Sequence, residues 1–173
     1  LLALAVSFSA QAVDNKSSQQ FNQLIDEHWQ TANKEQIFFR KDPDAFRMNG
    51  KLPDMSKAGR DRREKYNQTL LARLEKINVD DLSTEDQITY RLFKYERQTE
   101  ANSYQQLDHL YPLNYYSGFD SYFAGAPANM SFLTKQDYQN YLISLADFPR
   151  YNQEHIVSLK EAISVGHVHY CET

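Results

Sequence analysis

A chain of 173 residues, 41% hydrophobic and 24% charged, holds enough apolar side chains for one domain with a real core and is neither disordered nor fibrous. A formal net charge of −4 argues against a nucleic-acid surface, because that affinity comes from Lys and Arg displacing counterions; the basic run KAGRDRREK at 57–65 contains acids and reads as a solvated helix face. Cys171 is the only cysteine, so no intrachain disulfide can form and the core alone must hold the fold.

The apolar run LLALAVSFSAQA at 1–12 ends in Ala10-Gln11-Ala12, a boundary that signal peptidase accepts before Val13. The run is too short to cross a bilayer as a helix, and polar sequence follows at once. The expectation is a signal-peptide remnant, a periplasmic or secreted mature chain, and no permanent membrane anchor. No Met or basic segment precedes Leu1, which points to a clipped N-terminus.

Phe21, Leu24, Ile25, His28 and Trp29 follow the spacing of one helix face, so this segment docks on something. Asp42-Pro43-Asp44, Gly50 and Pro53 then punctuate an irregular connection from Phe39 to Asp54. Tyr66, Leu70, Leu74 and Ile77 form a second helical stripe ending around Asn78. Ser83-Thr84-Glu85-Asp86 resembles a capping box that opens a third, with the stripe Ile88, Leu92, Tyr95. The short link between these two predicts an antiparallel pair.

From Tyr104 to Phe132 the chain is crowded with Tyr and Phe, and Pro112, Gly118, Gly125 and Pro127 predict that regular helix does not persist. Thr134 to Asp137 caps a helix with Tyr138, Tyr141, Leu142 and Leu145 on its apolar face. Pro149 then suits the first turn of a further helix, whose stripe Ile156, Leu159 and Ile163 runs to a C-cap at Gly166. No segment shows sustained period-2 alternation and no internal repeat divides the chain. The predicted class is all-α, an irregular antiparallel helical array with a long aromatic-rich connection.

Chemistry is sparse. There is no His-Glu-x-x-His helix, no Gly-rich phosphate loop, no nucleophile elbow and no dinucleotide fingerprint. Glu27-His28 and Glu154-His155 have the wrong order for a zinc helix. His28 reads as a core-edge histidine and His109 as a surface pair with Asp108. Glu85-Asp86 and Asp80-Asp81 lie at predicted helix starts, where the macrodipole favours negative charge.

Near the end, His167, His169 and Cys171 alternate as on a strand, with Glu172 beside them, and could converge on zinc. Three ligands on a frayed terminus without supporting hydrogen bonds would hold the metal loosely. The aromatic segment is the other candidate: Tyr111, Tyr115, Tyr116, Phe119 and Tyr122 could line a groove for a peptide or a sugar, or pack between helices.

The sequences GKLPDMS at 50–56, LLARLEKINVDDLSTEDQITYRLFKYE at 70–96 and LTKQDYQNYLISLADFPRYNQEHIVSLKEAISVG at 133–166 carry, in order and spacing, a resemblance. They resemble the N-terminal part of the domain of unknown function 885 family, over roughly Phe21 to Gly166. Its bacterial members are exported or lipid-anchored and look like helical zinc metallopeptidases.

The resemblance implies that the zinc-binding His-Glu and Gly-His-His elements of longer members lie downstream of anything present here. No catalytic or metal-ligating residue is carried over. Zinc and a peptide substrate belong to the intact family member, and this chain needs the missing C-terminal half. The implied organisation is a signal remnant at 1–12, a helical N-terminal portion at 13–166 and a tail at 167–173 that departs from the family pattern as a truncation would. The expected function is a non-catalytic helical wall, the portion that covers a catalytic half. The alternative is a complete small exported helical module that binds a ligand or partner through 111–123.

Overall fold

A computed structural model describes residues 16–35, 50–114, 118–129 and 132–168; the signal remnant expected at 1–12 lies outside them. The described residues form five α-helices: α1 (Lys16–Glu35), α2 (Lys57–Leu74), α3 (Thr84–Gln105), α4 (Phe119–Gly125) and α5 (Lys135–Ser164). Short 3-10 turns lie at Val79–Asp81, Asp108–Leu110 and Ala126–Asn129. The described residues form no strand, only one isolated antiparallel bridge between Leu113 and Gly118. The fold is all-α.

Helix α2 starts where the Ser56 hydroxyl accepts the Gly59 N–H at 3.1 Å, and it ends at Leu74, before Asn78. Helix α3 starts where the Ser83 hydroxyl accepts the Asp86 N–H at 3.1 Å. Each cap satisfies a backbone donor left open by the first helical turn. Three bonds fix the direction of the pair: Tyr90 Oη donates to the Leu74 carbonyl (3.1 Å), Asn67 Nδ2 to the Arg97 carbonyl (2.9 Å) and Tyr104 Oη to Asp61 Oδ1 (2.7 Å). Positions descend along α2 as they ascend along α3, so the two helices are antiparallel.

The apolar core lies where α1 crosses this pair. Phe21 and Leu24 from α1, Leu70 and Leu74 from α2, Ile77 and Leu82 from the link, and Tyr90 and Phe93 from α3 are buried together. Full burial of each such side chain contributes about 1.5–3 kcal/mol.

None of these core residues belongs to α5. That helix is held by polar contacts to the segment that enters α2. The Ser144 hydroxyl donates to the Gly50 carbonyl at 2.5 Å, the Leu52 N–H to Asp147 at 2.9 Å and the Met55 N–H to Glu154 at 2.7 Å. Arg150 closes the array, bonding Asp147 at 2.6 Å, Glu154 at 2.8 Å and the Leu52 carbonyl at 2.9 Å. Gly50 has φ +70, and a Cβ there would meet the Asn140 backbone, so only glycine lets the strap lie this close to α5. The GKLPDMS sequence is thus a strap laid along α5.

Two elements depart from the sequence expectation. Pro149 does not start a helix: α5 runs through it as one helix of 30 residues, about 45 Å long, opened by a full capping box between Thr134 and Asp137. Regular helix also returns within the aromatic stretch as α4. The C-cap is as expected, since Gly166 has φ +79 and the His167 N–H reaches back to the Ala162 carbonyl at 2.8 Å.

Candidate functional site

The predicted apolar stripe of α3 points away from the core, and that of α5 is only partly covered, with Tyr141, Ile156 and Leu159 half-buried. Ile88, Leu92 and Tyr95 are 64%, 58% and 67% exposed, while Tyr90, Phe93 and Ala101 are buried. On α5, Tyr138, Leu142 and Ile163 are 57%, 62% and 67% exposed and Leu145 is also exposed. The opposite face buries Asp137, Asn140, Ser144, His155, Ser158 and Ala162. Both helices carry two usable faces, and the strap's polar backbone recruits the polar one of α5. The outward apolar faces are therefore a consequence of which neighbour each helix has.

A cleft of about 990 Å³ runs beside α2, bounded by α1 and α3. Its apolar lining includes Ile25, Trp29, Tyr66, Leu92, Phe93 and Tyr95. His28 sits here, its ring stacked on Tyr66 at 6.2 Å and edge-on to Phe93 at 5.0 Å, the core-edge position expected of it. Leu92 and Tyr95 belong to both the cleft and the exposed stripe of α3.

A second, smaller cavity of about 200 Å³ has Met55, Arg60, Asp108, His109, Pro112, His155 and Ser158 around it. Met55, Arg60, Asp108 and His109 border both spaces, so the cavity adjoins the cleft. Arg60 comes from the basic run, yet its side chain is only 11% exposed. Its Nη1 donates to the Met55 carbonyl at 2.8 Å and to the Ser158 hydroxyl at 3.3 Å.

The His109 reading is corrected here. Its imidazole is tucked against α5 rather than paired with Asp108 on the surface; Asp108 instead accepts a hydrogen bond from the Ser103 hydroxyl. Burial, with the Arg60 charge, holds the His109 pKa below its ordinary value. His155 is buried between the ring of Phe119, stacked at 4.1 Å, and Tyr151, edge-on at 4.6 Å. That apolar setting pushes its pKa down to about 4, so it is neutral at pH 7.

Three of the five residues proposed for an aromatic groove, Tyr111, Phe119 and Tyr122, are among the described residues. Phe119 is buried against His155 and Tyr151, whereas Tyr111 and Tyr122 are exposed. Tyr111 stacks on His167 at 5.9 Å. Tyr115 and Tyr116 lie outside the described residues, as do His169, Cys171 and Glu172. Among the described residues no group of three or more His, Cys, Asp or Glu could hold a metal ion, so they do not supply a zinc donor set.

Residues 38–172 match a family described as bacterial proteins of unknown function, DUF885. The chain belongs to the DUF885 family. The matched span starts later than Phe21 and runs past Gly166 to residue 172. No curated protein and no solved structure matches this DUF885 chain. Within the matched span, sequence reasoning missed Arg60, Arg150, His155 and Glu161. Only the Asp147, Arg150, Glu154 spacing, one face of one helix, was open to it.

Proposed function

We propose that this chain serves as a non-catalytic, N-terminal helical wall of an exported protein resembling zinc metallopeptidases. The observation that supports this reading is the inverted placement of α5, which turns Tyr138, Leu142, Leu145 and Ile163 outward and Ser144, Ser158 and Asn140 inward. Large apolar side chains left exposed on one helix are what a face covered by another polypeptide would show. The exposed stripe of α3 beside the cleft serves the same end.

In this reading the covering polypeptide is the C-terminal half found in longer family members, which would carry the zinc ligands and the peptide-cleaving chemistry; the mature chain works in the periplasm or outside the cell. Its own part is to close one side of a substrate cleft. The alternative module, with a ligand groove at 111–123, draws on the exposure of Tyr111 and Tyr122 but must give up Phe119, which packs inside.

Co-expression with the downstream half of a longer DUF885 protein tests the proposal. A complex that survives gel filtration is expected, and Leu142→Glu with Leu92→Glu should abolish it. Failure to form any complex while both chains are folded would reject the wall.

A further inference from the structure

We infer that the cavity between Arg60, His109, His155 and Ser158 is a binding site for a small carboxylate. The argument begins with donors and acceptors. Arg60 is buried, and its nearest carboxylate, Glu161, lies 3.6 Å from Nη2, outside hydrogen-bond distance. His109 Nε2 is also 3.6 Å from that Glu161 oxygen. His109 Nε2 and His155 Nε2 are buried and make no hydrogen bond among the described residues, and the whole His155 residue is only 6% exposed.

Buried nitrogen groups without partners are costly, and the two histidines that carry such an Nε2 border one space here, beside the Arg60 guanidinium, whose Nη1 is already bonded to Met55 and Ser158. An imidazole with a free Nε2 presents either a proton or a lone pair there, whichever its partner needs. A guanidinium with two such imidazoles therefore matches the acceptor-only chemistry of a carboxylate. The volume of about 200 Å³ suits a group of that size.

Three carboxylates oppose an incoming anion, and Glu154, the one beside His155, is already bonded by Arg150 and the Met55 N–H. Asp108 borders the cavity but already accepts from Ser103, and Glu161 is 44% exposed and free to swing outward. Glu161 also shows where a carboxylate sits relative to Arg60 and His109. The ligand would draw that interaction inward, to hydrogen-bond distance.

The test uses the full chain and acetate as the probe, following the side-chain signals of His109 and His155 by nuclear magnetic resonance against sodium chloride at equal ionic strength. Saturable shifts at both imidazoles are expected. Arg60→Gln should weaken binding by about tenfold or more, the loss of a charge-assisted bond. Glu161→Gln, a change at a half-exposed side chain that leaves the fold intact, should strengthen binding a few-fold by removing the competing charge. Absence of saturation, shifts of equal size in chloride, or an unchanged affinity in Glu161→Gln would each overturn the assignment.

Discussion

At the scale of single residues, His155 and Arg150 carry opposite electrostatic problems. His155 is neutral because Phe119 and Tyr151 enclose it, with Glu154 and Arg60 as the nearest charges. Its folded pKa of about 4 lies below the ordinary 6.5, so the unfolded chain binds the proton first as pH falls. Stability from this group is complete above pH 6.5, declines from 6.5 to about 4 and is level below that. The loss is on the order of 2 kcal/mol once solvent screening is allowed for. Urea unfolding across this window in acetate-free buffer should show the decline, and His155→Phe should flatten it.

Arg150 works the other way, compensating two carboxylates. The Arg150 guanidinium and the Leu52 N–H hold the Asp147 carboxyl below its ordinary range. Arg150→Met removes the partner of Asp147, Glu154 and two strap carbonyls at once. We expect a loss of about 1–3 kcal/mol in urea unfolding at pH 7, moderated because the side chain is 39% exposed. No change would mean that the strap is held by something else. Of these contacts only the Asp147, Arg150, Glu154 spacing was legible in the sequence, because the strap carbonyls of Leu52 and Pro53 lie nearly a hundred positions from Arg150.

At the scale of elements, the sequence showed that α1, α2 and α3 are helices and where helices are capped, since Ser83, Thr134 and Gly166 act locally, but not α4 or the continuity of α5 through Pro149. It also showed the buried face of α2, where Leu70 and Leu74 make an apolar stripe that Ile77 continues in the link. It misassigned the faces of α3 and α5 because periodicity reports that an apolar stripe exists, not what covers it. On α3, the stripe of Ile88, Leu92 and Tyr95 competes with that of Tyr90, Phe93 and Ala101, and packing against α2, with Phe21 and Leu24 of α1, selects the second.

The selection has a measurable consequence. Leu142→Glu on α5 should change the stability of the isolated chain by no more than about 0.5 kcal/mol, as at an ordinary surface site. Leu70→Ala, in the core, should cost about 2–5 kcal/mol. Denaturation midpoints of the two variants check the difference. A large loss for Leu142→Glu would place that face inside.

At the scale of the molecule, the chain is an apolar three-helix core with a long helix strapped to it by polar groups, and the apolar faces of α3 and α5 are turned outward. No helix among the described residues is long and apolar enough to cross a membrane. A protein partner is the covering that we propose for these faces. An uncovered chain should bind a hydrophobic dye and self-associate as concentration rises, which light scattering will detect; Leu92→Glu with Leu142→Glu should suppress both.

Hydroxyl-radical footprinting, read residue by residue on the isolated chain and on its complex with the downstream half of a longer family member, tests the wall most directly. The account predicts that Leu92, Tyr95, Tyr138 and Leu142 are oxidised in the isolated chain while Phe21, Leu70 and Tyr90 are protected, and that the first group becomes protected in the complex. Protection of Tyr138 and Leu142 in the isolated chain, or unchanged oxidation in the complex, would contradict it.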